Sequence, residues 1–127
     1  MSNGQHQGAV DSDETPAKAN LEKIPTLRPV FKKEGTITAA NASSISDGAA
    51  ALVLMSETEA VRRGIKPIAR IIGHASHAHE PSWFTTAPIG AIKKLLERIN
   101  WSAREVDLFE INEAFAVVAL VAMQELA

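Results

Sequence analysis

The feature that most constrains this chain is its last helix. Ala114 to Leu126 is apolar nearly all the way round. A helix with no polar face is stable in water only when covered, so the spacing predicts a helix inside a larger body. Val106 to Ile111 mixes apolar and acidic residues with rough period two and reads as a strand. Asn112 stands between the two. Its side chain amide can cap the helix, or it can point into a cleft at the strand's carboxyl end; the residues alone leave both open.

Composition sets outer limits. The 127 residues suffice for one domain, with 46 % hydrophobic and 22 % charged residues, as in ordinary globular proteins. A net charge of −2 makes no electrostatic case for nucleic acid or an anionic membrane surface. Glu113 and Gln124-Glu125 bound the longest apolar run, which is too short to span a membrane. The N-terminus lacks the basic-then-apolar layout of a signal peptide, so the expected location is cytoplasmic. There is no cysteine, which excludes disulfides, thiolate metal sites and a thiol nucleophile from within these residues.

In chain order, Met1 to Asn20 is polar and reads as a flexible arm. Leu21, Ile24 and Leu27 have helical spacing, but Pro25 and Pro29 limit any helix there to a turn. Lys32 to Gly35 is a turn signal, and Thr36 to Ala40 suggests a short strand. Asn41 to Gly48 is small and polar: a capping loop, or a surface where a ligand approaches hydroxyl and backbone groups. Ala49 to Met55 is an apolar run, a buried strand or a helix. Ser56 and Glu59 form a capping box for a short helix, Glu57–Arg63, ended by Gly64. A boundary is expected near Lys66-Pro67, before a β-branched strand from Ile68 to Gly73.

His74, His77 and His79 with Glu80 could hold zinc, but H-x2-H-x-H on a loop is not a recurring ligand spacing; the expectation is a solvated loop and no metal. Trp83 and Phe84 are adjacent loop aromatics that call for cover by a partner, a substrate or the fold. Pro88 suits a first helical turn. Ile89, Ile92, Leu95, Leu96 and Ile99 then make one apolar stripe opposite Lys93, Lys94, Glu97 and Arg98. Ser102 to Glu105 is a second S-x-x-E box. Alternating strands and helices predict a layered α/β fold.

Three segments carry a family resemblance. Thr36 to Ser56 (TITAANASSISDGAAALVLMS), Trp83 to Pro88 (WFTTAP) and Asp107 to Ala116 (DLFEINEAFA) resemble thiolase motifs in order and spacing. From about Asp11 to Ala127 the chain resembles the middle-to-late part of a thiolase, most closely the acetyl-CoA acetyltransferases. The resemblance implies two similar α/β halves stacked in five α-β-α-β-α layers. Residues 21–66 would end the first half, and 67–127 would begin the second, truncated within it.

The implied activity is reversible condensation of two acetyl-CoA to acetoacetyl-CoA and CoA. Two cysteines and a histidine do the covalent and proton-transfer work in the family. The resemblance implies that Asn112 holds a water on the enolate oxygen. It places Ala39 and Ser43 on the pantetheine arm, and Phe84, Ala114 and Phe115 around the acyl pocket. Coenzyme A thioesters are implied as substrates, with no permanently bound cofactor, and a dimer or tetramer as the assembly.

The departures are specific. Both catalytic cysteines and the G-H-P segment with its histidine lie outside these residues, and none of His6, His74, His77 or His79 stands at the matching position. Ser44 replaces a family glycine, and Lys18 stands near where an adenosine-phosphate arginine is common. The expected identity is thus a thiolase fragment, inactive alone. The alternatives are a non-catalytic thiolase-like interaction module and part of a longer-chain 3-ketoacyl-CoA thiolase.

Overall fold

The computed structural model describes residues 12–127. The expected arm lies partly outside that range, as does His6; of the remainder, residues 14–18 are helical. Helix α1 (Glu14–Lys18) is capped by the Asp13 carboxylate, which accepts from Thr15 N at 3.0 Å. A Glu14–Lys18 pair at 2.7 Å closes it. A single 3-10 turn, Leu21–Thr26, follows with Pro25 inside, as the prolines dictate.

Helix α2 (Glu57–Arg62) begins at Ser56, whose hydroxyl accepts from Glu59 N at 3.2 Å. The expected box forms only by half, because the Glu59 carboxylate turns to Arg62 and Arg63 instead of reaching back. Gly64 follows in the left-handed region at φ +65, as a helix stop requires.

A 3-10 turn, Pro81–Thr86, runs directly into α3 (Ala87–Ile99). The stripe predicted for α3 faces inward, with Ile89 buried, while Lys93, Lys94, Glu97 and Arg98 are exposed. Asn100 ends the helix at φ 56, and Trp101 N donates back to Leu96 O at 2.9 Å. The second box holds: the Glu105 carboxylate accepts from Ser102 N at 2.7 Å and from Ser102 Oγ at 2.9 Å. Helix α4 (Ala116–Leu126) packs on α3 and on the Pro81–Thr86 turn, burying Val118 and Ala122.

Residues 73–79 run along α3. Arg98 Nη1 donates to His74 O at 2.7 Å and Lys94 Nζ to Ser76 O at 3.4 Å. At Gly73 a Cβ would sit 2.9 Å from Ile99 Cγ2, and at Gly90 one would sit 2.5 Å from the His77 ring. Both glycines permit the close approach of loop and helix.

The expected strands are not formed. Thr36–Ala40 is part of a turn instead, and residues 49–55, 68–73 and 106–111 are unpaired. Among the described residues the sole β-type pairing is an antiparallel bridge between Ala42 and Phe115. β-Branched sequence favours extended backbone, but a strand exists only when a neighbour supplies N–H and C=O partners. The described residues offer none. Leu52 is 84 % and Ile68 101 % exposed, so these segments are not buried within this chain either.

Candidate functional site

The Ala42–Phe115 bridge brings two of the three motifs into contact. Ala116 N donates to Asn41 O at 2.9 Å, and Ser43 N donates to Ala114 O at 3.1 Å. These two bonds flank the bridged pair, the widely spaced antiparallel arrangement in which facing side chains are closest. The Ser43 hydroxyl adds a bond to Glu113 O. Phe31 closes the outer side, its ring meeting Phe115 edge-on with centroids 5.8 Å apart. Ser43, Ala114 and Phe115 are therefore neighbours, though 70 residues separate Ser43 from Glu113.

Asn112 lies at the tip of this arrangement. Its carbonyl accepts from Ala114 N at 3.1 Å, a tight turn that sends the chain toward α4. The helix starts at Ala116, with Phe115 as its N-cap residue and no side-chain cap. The plain N-cap alternative for Asn112 therefore does not hold. Its carboxamide is exposed and makes no hydrogen bond among the described residues, so both its donors and its acceptor are available to a water or ligand.

Ala39 sits in the turn before the bridge and is exposed. Phe84 lies on the Pro81–Thr86 turn against α3 and α4, with 56 % of its surface open. Trp83 is also exposed, so the described residues do not supply the cover these aromatics call for. Sequence reasoning missed Asn41. Its Oδ1 accepts from Thr38 N at 2.7 Å and its Nδ2 donates to Thr36 O at 3.0 Å, closing the turn that carries Ala39. The signal for it was present: Asn is the residue whose side chain most readily bonds nearby backbone.

The histidines lie elsewhere. His77 and His79 meet edge-on at 5.1 Å and line an open cavity of about 360 Å³ with Thr86, Ile89, Gly90, Val121 and Glu125. At 1.5 Å rise per residue, Glu125 is about 14 Å along α4 from Ala116. The pair is thus at the far end of α4 from Asn112. Among the described residues no three His, Asp or Glu side chains converge as a metal-holding group.

Comparison with known proteins covers nearly the whole chain. Residues 1–58 match the thiolase N-terminal domain family and residues 65–127 the thiolase C-terminal domain family. The chain is 52 % identical over 111 residues to a probable acetyl-CoA acetyltransferase of Dictyostelium discoideum, covering 87 % of this chain and 27 % of that protein. It is 49 % identical over 120 residues to a mouse acetyl-CoA acetyltransferase described as cytosolic, covering 92 % and 30 %. Among solved structures, the acetyl-CoA acetyltransferase of Bacillus anthracis superposes with a TM-score of 0.82 at 45 % identity, covering 87 % of this chain and 28 % of that one. Human mitochondrial 3-ketoacyl-CoA thiolase in complex with CoA gives 0.80 at 39 % identity, covering 86 % and 28 %. The structure superposes on those of solved thiolases, a class of acyl-transferring enzymes, and this chain belongs to the thiolase family. It spans under a third of the length of the curated relatives it matches.

Proposed function

We propose that this chain is part of an acetyl-CoA acetyltransferase that interconverts two acetyl-CoA with acetoacetyl-CoA and free CoA. The observation that carries the reading is the bridge joining Asn41–Ser43 to Glu113–Ala116, which sets the two motifs side by side. In this reading the Asn112 carboxamide holds a water that donates to the enolate oxygen as the carbon–carbon bond forms or breaks. A preorganised donor of that kind contributes about 3–4 kcal/mol of transition-state stabilisation. Ser43 and Ala39 flank the pantetheine arm, while Phe84, Ala114 and Phe115 line the acyl pocket.

No cysteine is present, so the nucleophile that accepts the acyl group and the thiol that exchanges the proton come from outside these residues. Residues 21–66 would close the N-terminal half and 67–127 open the C-terminal half of a five-layer α/β body. There the unpaired segments 49–55, 68–73 and 106–111 would find strand partners. The cytosolic description of the mouse relative supports a cytoplasmic site of action, and a dimer or tetramer is the assembly we expect.

Three measurements test this. The purified 127-residue chain should show no CoA-dependent cleavage of acetoacetyl-CoA; cleavage that disappears in Asn112→Ala would overturn the inactive-alone reading. The intact mass of the natural protein carrying this sequence should be several times 13.6 kDa. A mass near 13.6 kDa would instead support a non-catalytic interaction module, a reading its exposed apolar surface also favours. Comparing acetoacetyl-CoA with longer 3-ketoacyl-CoA substrates in that protein decides between the two thiolase classes among the relatives.

A further inference from the structure

We infer that Asn41 is a positioning residue, whose carboxamide fixes the register in which Ser43 meets Glu113 and Ala114 and thereby sets where Asn112 and Phe115 sit. The register follows from geometry; its catalytic meaning rests on the reading proposed above.

All the polar groups of Asn41 are engaged, and in two directions. Toward the turn, Oδ1 accepts from Thr38 N at 2.7 Å, Nδ2 donates to Thr36 O at 3.0 Å, and the backbone N donates to Thr38 O at 3.2 Å. Toward α4, the carbonyl accepts from Ala116 N at 2.9 Å. Ala116 N is among the amides that a helix start leaves without an intrahelical partner, and Phe115 supplies no side-chain cap. One residue thus ties the turn bearing Ala39 to the start of the helix behind Asn112.

The chemistry asks for a carboxamide. One acceptor and one donor must leave the same side chain for backbone groups two residues apart, and a carboxylate offers no donor at neutral pH. Freed from the turn, the segment is held to Phe115 by a single bridge, and register there is weakly specified. A slip of one residue would turn Ser43 to the opposite face and take its hydroxyl off Glu113 O.

The test is amide hydrogen exchange on the natural protein carrying this sequence, paired with calorimetric titration of acetyl-CoA into the same protein. Asn41→Ala should speed exchange at Ser43 and Ala116 about tenfold or more, since it removes both side-chain hydrogen bonds that hold the turn. Exchange along α3 should stay unchanged. Asn41→Asp, which keeps the acceptor for Thr38 N, should fall between wild type and Asn41→Ala; it also serves as the probe should the alanine variant fail to fold. Acetyl-CoA affinity should weaken by a similar factor in Asn41→Ala and not in Ser56→Ala, which destabilises α2 without touching the bridge.

Unchanged exchange at Ser43 and Ala116 would overturn the inference, as would a uniform rise that includes α3. If those amides respond but wild type does not bind acetyl-CoA, the register stands and the thiolase reading of the site falls. If wild type binds and Asn41→Ala alters neither exchange nor affinity, the Asn41 inference falls alone.

Discussion

Asn112 and Gly90 illustrate two ways in which one residue matters here. Among the described residues Asn112 is exposed and its carboxamide makes no hydrogen bond, so removing that amide should leave the fold alone and, on the reading proposed above, take away a function. In the natural protein carrying this sequence, Asn112→Ala should lower turnover of acetoacetyl-CoA by about 100- to 1,000-fold with little change in melting temperature. A loss under about threefold would remove Asn112 from the mechanism. Gly90 is the converse. A Cβ there would sit 2.5 Å from the His77 ring, so Gly90→Ala should destabilise by about 1–3 kcal/mol through overpacking. Gly90→Ala combined with His77→Ala should recover most of that loss in urea titrations. The motif around Asn112 was legible in the sequence because its residues, Asp107 to Ala116, are contiguous. Gly90 was not, because its partner is set by how loop and helix meet, which no local spacing encodes; for Asn41 the side-chain partners are local, and only its carbonyl's bond to Ala116 N lay beyond local spacing.

Elements that close on themselves were the ones that could be read directly. The α3 stripe, the Gly64 stop and the Ser102–Glu105 box each involve residues within a few positions of one another. Strands failed for the opposite reason: their bonds are to other segments. The same local logic governs the response to pH. The guanidinium groups of Arg62 and then Arg63 hold the Glu59 carboxyl below its usual range, and the Ser102 backbone N–H, with its hydroxyl, does so for Glu105. A depressed folded-state value means that the unfolded chain takes up its proton first as the solution is acidified. The stability these groups add is complete above the ordinary carboxylate range and is lost as pH falls through their lowered values. Far-UV circular dichroism during acid titration should therefore show helix loss beginning below that range, and Glu59→Gln should remove the part belonging to α2. Ser56→Ala should cost about 1 kcal/mol at any pH, since the lost cap carries no titrating group.

At the scale of the whole molecule, the area left in water outweighs every local bond. The chain exposes 11973 Å², whereas a folded monomer of its mass exposes about 6,600 Å². The excess, about 5,400 Å², reaches the range buried by obligate interfaces. Much of it is apolar: Leu120 and Met123 stand 63 % and 70 % exposed on α4, and Leu52, Val53, Ile68 and Leu108 elsewhere in the chain are open too. The all-round apolar helix predicted to lie inside a larger body is thus covered on one side by α3 and bare on the other. An α-helix offering this face to water gains free energy by finding any apolar partner. The purified chain should consequently self-associate, with sedimentation-velocity distributions that shift to larger species as concentration rises, and should bind an apolar dye such as ANS. Leu120→Lys with Met123→Lys should reduce both effects while leaving the buried Val118 and Ala122 contacts in place. A chain that sediments as a monomer across the concentration range and leaves the dye dark would mean that α4 is already covered. The proposal of a body assembled around this helix would then lose its physical basis.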